Sequence, residues 1–274
     1  MESVVSNLPG SGHLRQPGFY IPHGGGPCFF MPDPAGMWTD MAQFLAALPT
    51  MLPEQPRAIL VVSGHWEANG FAFTGAAQPS LIYDYGGFPP DTYTLLYDAP
   101  GAPDLATQAA RLLTDAGLQA AVDPGRGLDH GVFIPLKVAF PDADIPVVEM
   151  SLDQRFEPAL HAAAGRALAP LRDEGVLILG SGMSFHNMRG YGDPRSNGPS
   201  RQFDDWLTEA AAKPGAERAA TLAHWATAPG GRYAHPREEH LLPLMVVAAT
   251  SESPGERIYN GALGESVISG FRFT

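Results

Sequence analysis

Three largely apolar runs constrain this chain more than any other feature: AILVVSGHW (58–66), IPVVEMSL (145–152) and VLILGSGMS (176–184). Each is short and opens with four or five successive apolar residues rather than alternating ones, and the first is rich in β-branched residues. A strand covered on both faces reads this way, and such strands belong to sheets flanked by helices. Helical patterns lie between and after them, at 36–50, at 102–117 with Gly117 as C-cap, at 158–175, 199–213 and 215–226, and in the apolar 240–250. FYIPH (19–23), FAFTG (71–75), AAVD (120–123) and SVISGFRFT (266–274) read as further strands, and VFIPLKVAF (132–140) as a helix or buried segment. Strands alternating with helices predict an α/β fold, with a central mixed or largely parallel sheet covered by helices on both faces. No repeat or linker divides the chain, so 17–274 reads as one domain behind a flexible N-terminal lead, 1–16.

Charge and cysteine content exclude several functions. Lys+Arg number 17 against 29 Asp+Glu, a net charge of −12, which argues against nucleic acid or a polybasic membrane patch. The single cysteine, Cys28, has no internal disulfide partner and sits in an apolar stretch, so it is expected to be buried in a cytoplasmic protein. The N-terminus is polar, and no apolar run is long enough to cross a membrane. A dinucleotide fingerprint, a Walker loop, zinc-finger spacing and HExxH are all missing.

Histidines carry the chemical signal. His23, His65 and His186 each end or follow a strand, and ligands of open α/β sheets bind at the carboxyl ends of strands. His240 stands beside two glutamates at the start of an apolar helix. Neutral imidazole is the commonest metal ligand, and three protein ligands with open positions describe a catalytic ion. Taken singly, each is a hydrogen-bonded loop residue; three at equivalent places, flanked by Gly or Ser, favour a metal. His13, His161 and His224, in a tail or on polar helix faces, read as structural. A metal- or serine-dependent hydrolase is the alternative: HGGG (23–26) resembles the oxyanion motif of lipases, and Ser184 follows a buried strand in GSGMS. The G-x-S-x-G nucleophile motif is nevertheless missing.

Five segments in order, PHGGGP (22–27), VVSGHWE (61–67), GLDHGVFIPL (127–136), ILGSGMSFHN (178–187) and EEHLLPL (238–244), resemble the class III extradiol ring-cleavage dioxygenases. The resemblance is closer to their single-chain DOPA 4,5-dioxygenase branch. It implies a non-haem Fe(II) enzyme that opens a catechol beside its two hydroxyls with O₂, with zinc often in the site of isolated members. It implies His23, His65 and His240 as metal ligands, Glu239 being the alternative third because distant relatives use a carboxylate there. His186 matches the acid/base catalyst, close enough to contact the metal in some members, and His130 a histidine lining the substrate and oxygen pocket. L-DOPA is the implied substrate, its 4,5 cleavage giving a semialdehyde that cyclises to betalamic acid. Tyr83 and Tyr85 in YDYGGFP are expected at the aromatic end of the pocket, with Arg126 and Arg237 as cations for a substrate carboxylate. Self-association into a homo-oligomer stays open. A non-catalytic binding protein on this fold would show a lost ligand, yet every histidine position is filled.

Overall fold

The three apolar runs lie side by side at the centre of an eight-stranded sheet. The computed structural model describes residues 12–274. Its elements are β1 (Gly18–Pro22), α1 (Thr39–Ala47), β2 (Ala58–Ala68), β3 (Phe71–Thr74), α2 (Pro103–Asp115), β4 (Ala120–Asp123), α3 (His130–Ala139) and β5 (Val147–Asp153). They continue as α4 (Pro158–Leu168), β6 (Val176–Gly182), α5 (Asn197–Ala211), α6 (Gly215–Leu222), α7 (Gly231–Ala234), α8 (Leu242–Ala248), β7 (Glu256–Leu263) and β8 (Ser266–Phe273). Strand order is β4-β3-β5-β2-β6-β1-β8-β7. The central β5, β2, β6 and β1 are parallel, while β3 and β8 run antiparallel to their neighbours β5 and β1, so the single domain has a mixed sheet. Every residue of β1, β5 and β6 is buried, as strands covered on both faces require.

The pleat of β6 assigns the two layers. Successive side chains point to opposite faces. Ser181 reaches the carbonyl of Gly131 in α3, whereas Gly180 and Gly182 lie against Pro243 and His240 at the head of α8. One face therefore carries α3 with α1 packed on it, and the other carries α8 with α4. A Cβ on Gly180 would stand 2.6 Å from the Pro243 carbonyl oxygen, and one on Gly182 would strike the carbonyl of His240. Only glycine lets α8 approach this closely.

Several expectations change in detail. The 36–50 and 158–175 patterns each end in a 3₁₀ turn, Leu48–Met51 and Ala169–Glu174, with Pro49 and Pro170 at the start of the turn. The 132–140 segment is helical from His130 and encloses Pro135. β7 is an added edge strand. Residues 1–11 of the expected lead lie outside the described residues. Leu14 donates its N–H to Glu54, and buried Gln16 donates its N–H to the carbonyl of the equally buried Arg172, whose side-chain Nε donates back to the Gln16 carbonyl. His161 is buried rather than on a polar face, its Nε2 accepting the N–H of Asp153, and Cys28 is buried. Among the described residues no helix is long and apolar enough to cross a membrane.

Candidate metal centre and active site

Strand register brings the histidines to one edge. Pro22 pairs with Gly182 and Ser63 with Ser181, so His23, just past β1, and His65, still within β2, reach the same level beyond the end of β6. The β2–β5 register breaks between Val62 and Glu67. Such a bulge re-aims side chains, and His65 sits within it. Its N–H donates to Ser63 Oγ, which in turn donates to Asp129 at 2.8 Å. His240 arrives from the α8 face, its carbonyl accepting from the Tyr20 hydroxyl at 2.7 Å and the Met183 N–H at 3.2 Å. His130 opens α3, and His186 follows β6.

The Nε2 atom of His65 stands 3.1 Å from the Nε2 atoms of both His23 and His240. Their outer nitrogens decide what these atoms can do. The Ser181 hydroxyl donates to the Gly131 carbonyl, which has no hydrogen to give, so Ser181 can only accept from His23 Nδ1 at 3.0 Å. That carbonyl is available because Pro135, four residues on, lacks the N–H that would otherwise occupy it. His240 Nδ1 donates to Glu239 Oε1 at 3.1 Å, and His65 Nδ1 faces Asp84 at 3.5 Å. His23 and His240 therefore keep Nδ1–H, Asp84 favours the same in His65, and the three Nε2 atoms lie together, with His65 Nε2 between the other two. Burial lowers His23 and His240 far below the ordinary histidine value; neighbouring imidazoles add to this, and only Glu239 opposes it at His240. Burial and then His130 bring His65 down to about 4. Three neutral imidazoles with neighbouring Nε2 lone pairs lack any donor to satisfy them and fit a cation. Nitrogens bound to one ion at roughly 2.0–2.2 Å stand about this far apart.

Two further histidines flank the trio. His130 Nδ1 and backbone N–H both meet Asp84 Oδ1, at 2.8 and 3.0 Å. Burial pushes Asp84 up, but the His130 hydrogen bonds and charge outweigh it and hold the carboxyl at about 2. His186 Nδ1 meets Glu239 Oε1 at 3.1 Å, and its ring stacks on His240 with centroids 3.4 Å apart. Glu239 thus sits behind both rings, on their Nδ1 side. Burial raises its carboxyl, yet the two imidazole hydrogen bonds win and keep it ionised, well below the usual range.

All five imidazoles line a cavity of about 790 Å³, together with Tyr85. The remaining expected residues lie elsewhere. Tyr83 stands behind Tyr85, its hydroxyl on the Leu95 carbonyl. Arg126 is held by Asp129 at 3.1 Å and Arg237 by Glu67 at 2.6 and 2.8 Å; neither lines the cavity. Ser184 is buried with its Oγ accepting the Ser269 N–H, also away from the lining, which leaves the serine hydrolase reading without a nucleophile. Sequence reasoning missed Asp84, placed between the two tyrosines it singled out, and the orienting role of Ser181. The available signal was that a ligating imidazole needs a partner for its second nitrogen.

Fold and site together define an α/β protein with a metal-competent histidine centre at the carboxyl edge of its parallel strands, opening into a cavity. Residues 18–268 match the family of the catalytic LigB subunit of aromatic ring-opening dioxygenase, and the chain belongs to that family. It is 39% identical over 228 residues to a 4,5-DOPA dioxygenase extradiol of Beta vulgaris, covering 81% of this chain and 84% of the relative. It is 38% identical over 252 residues to the dioxygenase tasH of Hapsidospora irregularis, covering 84% and 76%. A 4,5-DOPA dioxygenase extradiol of Escherichia coli is 35% identical over 237 residues, covering 85% and 84%. The crystal structure of an uncharacterized protein from Escherichia coli K12 matches with a TM-score of 0.77 at 29% identity, over 95% of this chain and 100% of that one. The chain is an extradiol dioxygenase, an oxidoreductase.

Proposed function

We propose that this is a cytoplasmic, non-haem Fe(II)-dependent dioxygenase that opens catechols next to the hydroxyl pair. On L-DOPA it cleaves the 4,5 bond, and the semialdehyde formed cyclises to betalamic acid. The grouping of three Nε2 atoms on the cavity floor carries this reading. His23, His65 and His240 are the residues to hold the ion. Ferrous iron there supplies the electrons and open positions that let a catechol react with O₂, and zinc suits the same donors in isolated protein.

The protein's own groups handle protons. His186, its Nδ1 fixed by ionised Glu239, keeps Nε2 available to take a catechol hydroxyl proton, and Glu239 stabilises the imidazolium that results. The same ring can return the proton later. His130 Nδ1 is held by ionised Asp84 in the same manner, so a proton taken up at its Nε2 is placed for donation to a developing oxyanion.

Anaerobic loading with Fe(II), then oxygen and L-DOPA, should give a yellow ring-fission product that mass spectrometry assigns to betalamic acid. A muconic-type diacid would refute the extradiol outcome. His186→Ala should keep the metal and lose roughly 10²–10⁴-fold in turnover, whereas His65→Ala should lose the metal. Near-normal turnover in His186→Ala would remove that residue from proton transfer.

A further inference from the structure

Resting on the ring-cleavage reading above, we propose that the preferred substrate is a catechol bearing a bulky, uncharged apolar substituent, with L-DOPA a poorer substrate. The cavity has two unlike ends. Its floor is imidazole; its wall includes Met31, Met37, Trp38, Phe88, Met188 and Leu263. Large exposed hydrophobic side chains among the described residues are Leu14, Met37, Leu96 and Met188, and two of these four stand on this wall, Met37 50% and Met188 71% exposed. Apolar groups left in water at a cavity rim mark a binding surface, and thioethers adapt to irregular apolar ligands. A volume of about 790 Å³ falls well inside the range of roughly 300–1,000 Å³ that encloses drug-sized ligands.

Charge leads the same way. Neither Lys nor Arg lines the cavity, and apart from the histidines its charged lining residue is Asp33, whose carboxylate accepts the N–H groups of Met37 and Trp38 at 2.9 and 2.7 Å. The two arginines expected to receive a carboxylate are bound to Asp129 and Glu67. A carboxylate on the substituent, away from the metal floor, gives up water, meets no lysine or arginine of the lining and faces Asp33.

The wall is tested apart from catalysis by binding 4-alkylcatechols, methyl to butyl, to the metal-free protein. Quenching of Trp38 fluorescence is the readout and Trp38→Phe the control. Affinity, and kcat/KM of the iron-loaded enzyme, should each rise roughly two- to fourfold per methylene. L-DOPA methyl ester should exceed L-DOPA, and Met188→Lys should shift the L-DOPA to 4-butylcatechol ratio severalfold towards L-DOPA. A flat chain-length series, or L-DOPA preferred over its ester and over 4-butylcatechol, overturns the proposal. So does selective loss of L-DOPA turnover in Arg189→Ala, which would make this neighbour of Met188 a carboxylate receptor. If alkylcatechols bind with rising affinity but none is cleaved, the apolar preference stands and the ring-cleavage reading fails.

Discussion

Ser181 shows how much of this site depends on residues that bind nothing themselves. Its hydroxyl fixes the His23 tautomer from across the sheet. Losing such an orienting partner typically weakens metal affinity 10–100-fold. Ser181→Ala should therefore bind cobalt or zinc roughly 10–100-fold more weakly in a competition titration while its circular dichroism stays native. Unchanged affinity would remove Ser181 from the site. His23, His65 and His186 were legible because metal and proton chemistry restrict the residue types allowed at strand ends, His240 stood out beside two glutamates before an apolar helix, and His130 came from the family resemblance alone. Their partners were not, because proximity in space alone selects them: Ser181 is 158 residues from His23, and Asp84 46 from His130. The partners of the two arginines differ in this respect: Asp129, which holds Arg126, is three residues on in the adjoining motif. Arg237 stands beside a motif, but Glu67, which holds it, is 170 residues away.

At the scale of elements, continuous apolar runs announced β2, β5 and β6, while edge strand β7 gave no signal. Its residues, among them Glu256, Arg257 and Asn260, are largely exposed and need no apolar pattern. Helix limits shifted wherever a proline tightened the last turn. The glycines of β6 were visible in GSGMS, but their use was not, since it depends on α8 crossing close above. Gly182→Ala places a methyl against the His240 carbonyl and must push α8 outwards. Overpacking of this kind costs about 1–3 kcal/mol. The variant should lose that much stability in urea, and should also lose metal affinity, because the displaced carbonyl belongs to a proposed ligand. Stability lost with metal binding intact would show that α8 moves without carrying the His240 ring.

The whole molecule carries an unusual burden of neutral buried imidazoles. Burial lowers His23, His65, His161, His235 and His240, the middle three to about 4, 4 and 3. Above the ordinary value near 6.5 these rings are neutral folded and unfolded alike, and they contribute nothing to pH dependence. Below it the unfolded chain takes protons that the folded one refuses, so stability falls as pH falls from about 6.5 towards 4. Glu149, which burial and Asp129 raise well above its ordinary value, opposes this by releasing a proton on unfolding. The imidazoles outnumber it. Metal-free protein should show a lower urea midpoint at pH 5 than at pH 7, with a net uptake of roughly two to four protons on unfolding; equal midpoints would contradict the burial of these rings as neutral groups. The same long-range construction bears on the ion itself. His65 lies 42 residues from His23 but 175 from His240, so a chain emerging from the ribosome presents two of the three nitrogens long before the last. Nitrogen donors bind copper and zinc more tightly than ferrous iron. On the proposed ligand set, the ion acquired would then depend on which metals are within reach once His240 has been made, as well as on the site.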